Sequence, residues 1–222
     1  MTYKNMIFDL DGTLIEPKTG ITRAIVYALK HYGIEIPESD YDTLTPFIGP
    51  PLTESFSCYF GFDDAKAREA VEKYREYYSV TGLFECSVYP GIPELLTQLH
   101  QAGVPVYLAT SKPQIFAETL LKHLELDRYF ALIAGSTLDH TRDQKSQVLD
   151  WLLSQEHLKP EDCLMIGDRH YDVEGARACG IDTVAVGYGY GCREEFDLCA
   201  PAYQSETVEA LAELLQQLTQ EN

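Results

Sequence analysis

The first apolar run of the chain, Met6, Ile7 and Phe8, breaks at Asp9 into the polar stretch "DLDGT". A short run without polar alternation fits a strand buried on both faces of a parallel sheet, and the Gly12–Thr13 step reads as a turn. The period then changes. Ile21, Ile25, Leu29 and Tyr32 recur near helical spacing with Gly33 as a stop, and residues 52–60 and 63–78 read as two more helices. Strand signal is almost absent until Val88. From Tyr89 apolar runs return at 104–110, 129–135, 163–168 and 183–187. They alternate with helical patterns at 91–102, 114–124, 144–155, 172–179 and 206–218.

Alternating strands and helices predict an α/β fold: a doubly wound, Rossmann-like parallel sheet core interrupted by an all-helical insertion. The expected division is a core of residues 1–15 and 86–222 and an inserted cap of residues 16–85. In such sheets ligands bind beyond the carboxyl ends of the strands. An insertion leaving the end of the first strand is expected to act as a lid there, with hinges at 15–18 and 81–85.

A formal net charge of -18 argues against binding a nucleic-acid backbone or an anionic membrane, and no basic run offsets it. No apolar run approaches the 18 residues of a membrane span, and the start lacks the pattern of a secretion signal, so a cytoplasmic protein is expected. The six cysteines, far apart and without C-x-x-C, read as free thiols. The expected partner is a small molecule. An enzyme this acidic that handles anions needs a metal or a few placed lysines. The sequence carries no sign of oligomeric state.

The polar residues at the strand ends supply that chemistry. By strand alternation Asp9 and Asp11 are expected on one side, where like charges need a cation, a shared proton or solvent. Thr110 and Ser111 end the second core strand, Asp168 ends the fourth, Asp172 follows it, and Lys145 opens the helix before it. Each has a plainer reading: Thr110 and Ser111 as helix caps, Asp172 as an N-cap, Lys145 as a solvated charge. Together, hard oxygen donors without His or Cys suit Mg²⁺, and a helix N-terminus beside a lysine suits a phosphate. Such a site matches an aspartate nucleophile.

"DLDGTL" at 9–14, "LATSK" at 108–112, Lys145 and "GDRHYD" at 167–172 resemble, in that order, the four motifs of the haloacid dehalogenase superfamily of phosphohydrolases. The resemblance implies Asp9 as nucleophile and Asp11 as general acid and then base. It implies Mg²⁺ held by the Asp9 carboxylate, the Asp11 carbonyl and Asp168, with Asp172 anchoring its water shell. Thr110 and the following backbone N–H groups, Ser111 included, are expected on the phosphoryl oxygens, and Lys145 on the nucleophile and phosphate. "FIGPPLTESF", "GSTLDHTRDQK" and "YGYGCREEF" further resemble phosphoglycolate-phosphatase-like proteins often labelled 5′-nucleotidases. The chain departs from relatives in lacking a proline after Lys145 and in carrying His140. The expectation is a Mg²⁺-dependent phosphatase acting on nucleoside monophosphates, with phosphoglycolate, pyrophosphate or a sugar phosphate as alternative substrates. A sugar phosphomutase or a non-catalytic module is the remaining reading. Gly49, in a turn with two prolines, is expected to reach the substrate. Phe47 and Phe56 are expected as lid core rather than base-stacking rings, and "GYGYG" at 187–191 as a flexible loop rather than a dinucleotide site.

Overall fold

The computed structural model describes residues 2–139 and 141–219, so His140 lies outside the described residues. It divides into two compact units, one of residues 1–16 and 88–222 and one of residues 17–87. In chain order, β1 (Asn5–Phe8) and β2 (Ile15–Glu16) precede the second unit, and β3 (Ser87–Val88) ends it.

The first unit is built on a six-stranded parallel sheet of order β5-β4-β1-β6-β7-β8, where β4 is Val106–Pro113, β5 Phe130–Ser136, β6 Cys163–Gly167, β7 Asp182–Val186 and β8 Tyr203–Ser205. Its apolar runs are buried as a central parallel sheet requires: β1 and β6 are buried throughout. One face sets Ile7, Tyr107 and Met165 against Val148, Leu149 and Leu152 of α6 (Lys145–Glu156) and Ala176 of α7 (His170–Ala178). Alternation sends Met6, Phe8, Leu164 and Ile166 to the other face, all fully buried. The strand order reverses at β1: the chain fills one side with β4 and β5, then crosses to β6 on the other. That makes the carboxyl ends of β4, β1 and β6 the switch point where such sheets bind ligands.

Two elements here escape the sequence pattern. β8 is three residues long and follows Pro201, and α8 (Arg193–Cys199) is seven residues long. α7 begins at His170 rather than 172, because Asp172 caps from inside the first turn: its Oδ2 accepts the Arg169 N–H at 3.1 Å.

The second unit holds α1 (Lys18–His31), α2 (Leu52–Phe60) and α3 (Asp64–Tyr78), with 3₁₀ turns over Glu38–Phe47 that no apolar periodicity announces. The Asp63 carboxylate caps α3, accepting the Lys66 N–H at 2.9 Å. Phe47 and Phe56 are buried in a ring cluster, edge to face at 5.4 Å, and Phe56 stacks on Phe62 at 6.0 Å. They are core, as the sequence suggests. Gly49, with φ +108°, and the two prolines after it lead into α2. No described helix is long and apolar enough to cross a membrane.

Candidate active site

Strand register brings the acids together. Phe8 pairs with Leu108 of β4 and Ile166 of β6, so Asp9, one residue on, comes level with Ala109 and Gly167. The Asp9 N–H still donates to the Ile166 carbonyl at 2.9 Å. Beyond it the Leu10 carbonyl accepts the N–H groups of Leu14 and Ile15 at 2.9 and 3.1 Å, winding residues 10–15 into a tight turn. Gly12 is required there. Its φ is +83°, and a Cβ would lie 2.1 Å from Asp168 Oδ2.

Lys145 is the electrostatic centre. Only 6% exposed, its ammonium lies 2.8 Å from Asp9 Oδ1 and 2.7 Å from Asp172 Oδ1, and donates to the Ala109 carbonyl at 2.9 Å. This overturns the solvated-charge reading. Burial works against the ammonium, but Asp172 and Asp9 outweigh it and raise its pKa. Asp168 is fully buried; its Oδ2 accepts the Tyr190 N–H at 2.7 Å, and Thr13 Oγ1 stands 3.5 Å from its Oδ1. Burial lifts its carboxyl well above the usual range, and Asp172 and Asp9 add to the rise. Burial also lifts Asp172 to about 6, against the pull of Lys145.

Asp9, Asp168 and Asp172 each offer an oxygen within 4.8 Å of the others. Asp9 Oδ1 and Asp172 Oδ1 face Lys145 at ion-pair distance but outside hydrogen-bond alignment, so both retain unmet acceptor capacity. Three clustered buried carboxylates, two of them with an unmet oxygen beside one ammonium, and no nitrogen or sulfur donor in the cluster, fit a hard cation such as Mg²⁺.

Asp11 is set apart. The strand ends at Phe8, so alternation does not carry through Asp9 and Asp11. The Asp11 carboxylate instead accepts from Lys112 Nζ at 2.6 Å, outside the acidic triad. Burial raises its carboxyl, and Lys112 opposes the rise. Lys112, itself buried, is a functional candidate that sequence reasoning passed over although it stands in "LATSK". Thr110 is buried and Ser111 half-buried at the end of β4. Neither caps α5 (Gln114–His123), whose N-cap is Pro113; Thr110 Oγ1 accepts the Lys112 N–H at 3.2 Å.

The loop at 187–191 is packed rather than loose. Tyr188 donates its hydroxyl to the Thr13 carbonyl at 2.9 Å and meets Tyr89 edge to face at 5.2 Å. A Cβ on Gly189 would lie 2.3 Å from the Gly12 carbonyl oxygen and 2.4 Å from Asp168 Cβ. The signal was the alternation of glycine with tyrosine itself, small residues for close approach and phenols for reach.

Comparison with known proteins agrees with this geometry. The profile of haloacid dehalogenase-like hydrolases matches residues 6–186. A Pseudomonas aeruginosa protein named 5′-nucleotidase is 46% identical over 97% of both chains. A Mycobacterium tuberculosis protein named tyrosine-protein kinase PtkA is 40% identical over 95% of this chain and 72% of its own. The crystal structure of a predicted phosphatase from Clostridium acetobutylicum superposes with a TM-score of 0.95 at 38% identity, covering 98% of this chain and all of that one.

Proposed function

The chain belongs to the haloacid dehalogenase-like hydrolases and is a phosphatase of that family, and we propose that it is a Mg²⁺-dependent 5′-nucleotidase working through an aspartyl phosphate. The observation that carries this reading is the Lys145 ammonium held between Asp9 and Asp172 at the carboxyl edge of the sheet. The choice of nucleoside monophosphates rests on the 46% identical relative.

Mg²⁺ would be held by the Asp9 carboxylate, the Asp11 carbonyl and Asp168, with Asp172 beside them, and would neutralise charge on the phosphoryl oxygens. Asp9, held beside the Lys145 ammonium, attacks phosphorus as the ester oxygen leaves. Asp11 gives that oxygen a proton; it then takes one from the water that attacks phosphorus, releasing phosphate and restoring Asp9. Lys112 holds Asp11 in place for both transfers, and Thr110 with the backbone N–H of Ser111 steadies the phosphoryl oxygens. The unit of residues 17–87, with its Gly49 turn, is proposed as the cap that selects the substrate.

Phosphate release from nucleoside monophosphates, phosphoglycolate, pyrophosphate and sugar phosphates, with and without Mg²⁺, tests the proposal. Metal-dependent release, fastest from nucleotides, is the expected result. Preference for phosphoglycolate reassigns the substrate, and no release from any ester overturns the mechanism. The relative named as a kinase motivates one further arm: transfer of phosphate from ATP to tyrosine, read as phosphotyrosine, would make this chain a transferase.

A further inference from the structure

The proposed chemistry leaves one residue of the 187–191 loop with two grips and no task. The Tyr190 backbone N–H donates to Asp168 Oδ2 at 2.7 Å, and its side-chain hydroxyl donates to Glu16 Oε1. Glu16 is the last residue of the core unit before the chain enters residues 17–87. The backbone around Tyr190 has little room to drift. A Cβ on Gly191 would lie 2.0 Å from the Asp168 carbonyl oxygen, and Gly189 is pressed against Asp168 and Gly12. Tyr188 pins the same loop to the Thr13 carbonyl.

We propose that Tyr190 is a positioning residue that fixes the rotamer of Asp168 through its N–H and ties that aim, through its phenol, to Glu16 at the exit to the helical unit. Asp168 Oδ2 is thereby held by a short hydrogen bond, whereas Oδ1 has only the long Thr13 contact at 3.5 Å and is the oxygen this rotamer leaves to face a cation. A partner that orients a ligating carboxylate sets metal affinity. Because the other end of this partner is the linker, a change in the path of the chain at Glu16 moves the loop and with it the aim of Asp168. The proposal rests on the metal site of the preceding reading.

The test is metal affinity, measured directly by calorimetric titration of the protein with Mg²⁺ and by the free-ion signal of Mn²⁺ in paramagnetic resonance. Tyr190→Phe keeps the ring and the backbone N–H but drops the Glu16 contact, and is expected to weaken Mg²⁺ binding about tenfold. Glu16→Ala is expected to do the same, and the double variant to bind no more weakly than either, because both break one contact. Glu16→Gln still accepts from the phenol and is expected to retain the affinity of the parent chain. At saturating Mg²⁺ the substrate KM of Tyr190→Phe is expected to be unchanged, which separates aiming of the metal acid from general loosening of the site. Unchanged Mg²⁺ affinity in Tyr190→Phe, or additive losses in the double variant, overturns the proposal alone. Failure of the parent chain to bind Mg²⁺ overturns the metal site, and this proposal with it.

Discussion

At the carboxyl edge of the sheet, Asp9, Asp168 and Asp172 are 7, 0 and 1% exposed, and a single ammonium lies at ion-pair distance from Asp9 and Asp172; in the helical unit, Phe47, Phe56 and Phe62 are 2, 0 and 5% exposed and pack ring against ring. Both clusters are as buried as any part of the molecule. Burying rings removes apolar area from water and stabilises the fold at about 25 cal/mol per Å². Burying carboxylates faster than counter-charges arrive does the reverse, as the raised pKa values of Asp168 and Asp172 show. Equal burial therefore marks opposite contributions, and removing the Asp168 charge, which has no lysine at ion-pair distance among the described residues, should change stability with the opposite sign to removing a ring.

The largest effect belongs to the acid edge and is on rate. Asp9→Asn removes the proposed nucleophile and is expected to lower kcat by about 10⁴-fold or more, while circular dichroism and the melting curve stay close to those of the parent chain. Turnover surviving in pure variant protein would remove Asp9 from its role. Next comes the ring cluster. Phe56→Ala leaves a cavity between Phe47 and Phe62 and is expected to cost about 3–5 kcal/mol, read by urea unfolding and by loss of amide protection in α2 and α3. A loss below about 1 kcal/mol would mean that the cluster collapses around the gap.

Asp168→Asn separates the two regions by sign. It removes a negative charge from beside Asp9 and Asp172 while keeping a carbonyl to accept the Tyr190 N–H; its amide meets Thr13, whose hydroxyl can turn to accept. Without metal the variant is expected to be more stable than the parent by about 1–2 kcal/mol. That raises the melting temperature by about 2–8 °C, and Mg²⁺ should no longer add to it. A lower metal-free melting temperature would show that the hydrogen bonds of Asp168 outweigh its repulsions.

The same contrast explains what could be read along the chain. Ring burial and strand burial leave periodic traces, which is why the bounds 52–60 and the sequence 163–168 correspond to α2 and to β6 with its following acid. β8 and the 3₁₀ turns of Glu38–Phe47 leave none, the first because three residues carry no period, the second because its contacts repeat at no fixed spacing. The common placement of Asp9, Thr110 and Asp168 at one edge was legible because a parallel sheet delivers its strand ends there. Lys112 and Tyr190 were not: their partners Asp11 and Glu16 lie 101 and 174 residues away, and the Tyr190 hold on Asp168 is a backbone donor that any residue but proline carries.

A lysine in each region gives the smallest and most discriminating contrast. Lys145 stands among carboxylates with almost no solvent, whereas the Lys66 ammonium lies over the Phe62 ring at 3.9 Å and near Tyr32 at 4.9 Å, half-buried on α3. A cation over a ring with water still at hand contributes about 0.5–1 kcal/mol. Lys66→Gln keeps a polar end and part of the stem, so it isolates the charge. It is expected to lower urea stability by that amount and leave phosphatase kcat/KM unchanged, and Lys66→Met, which keeps the apolar stem, should recover part of the loss. If the Gln and Met variants are equally stable with the parent, the ring cluster holds by apolar burial alone. The dependence on a buried cation would then be confined to the acid edge.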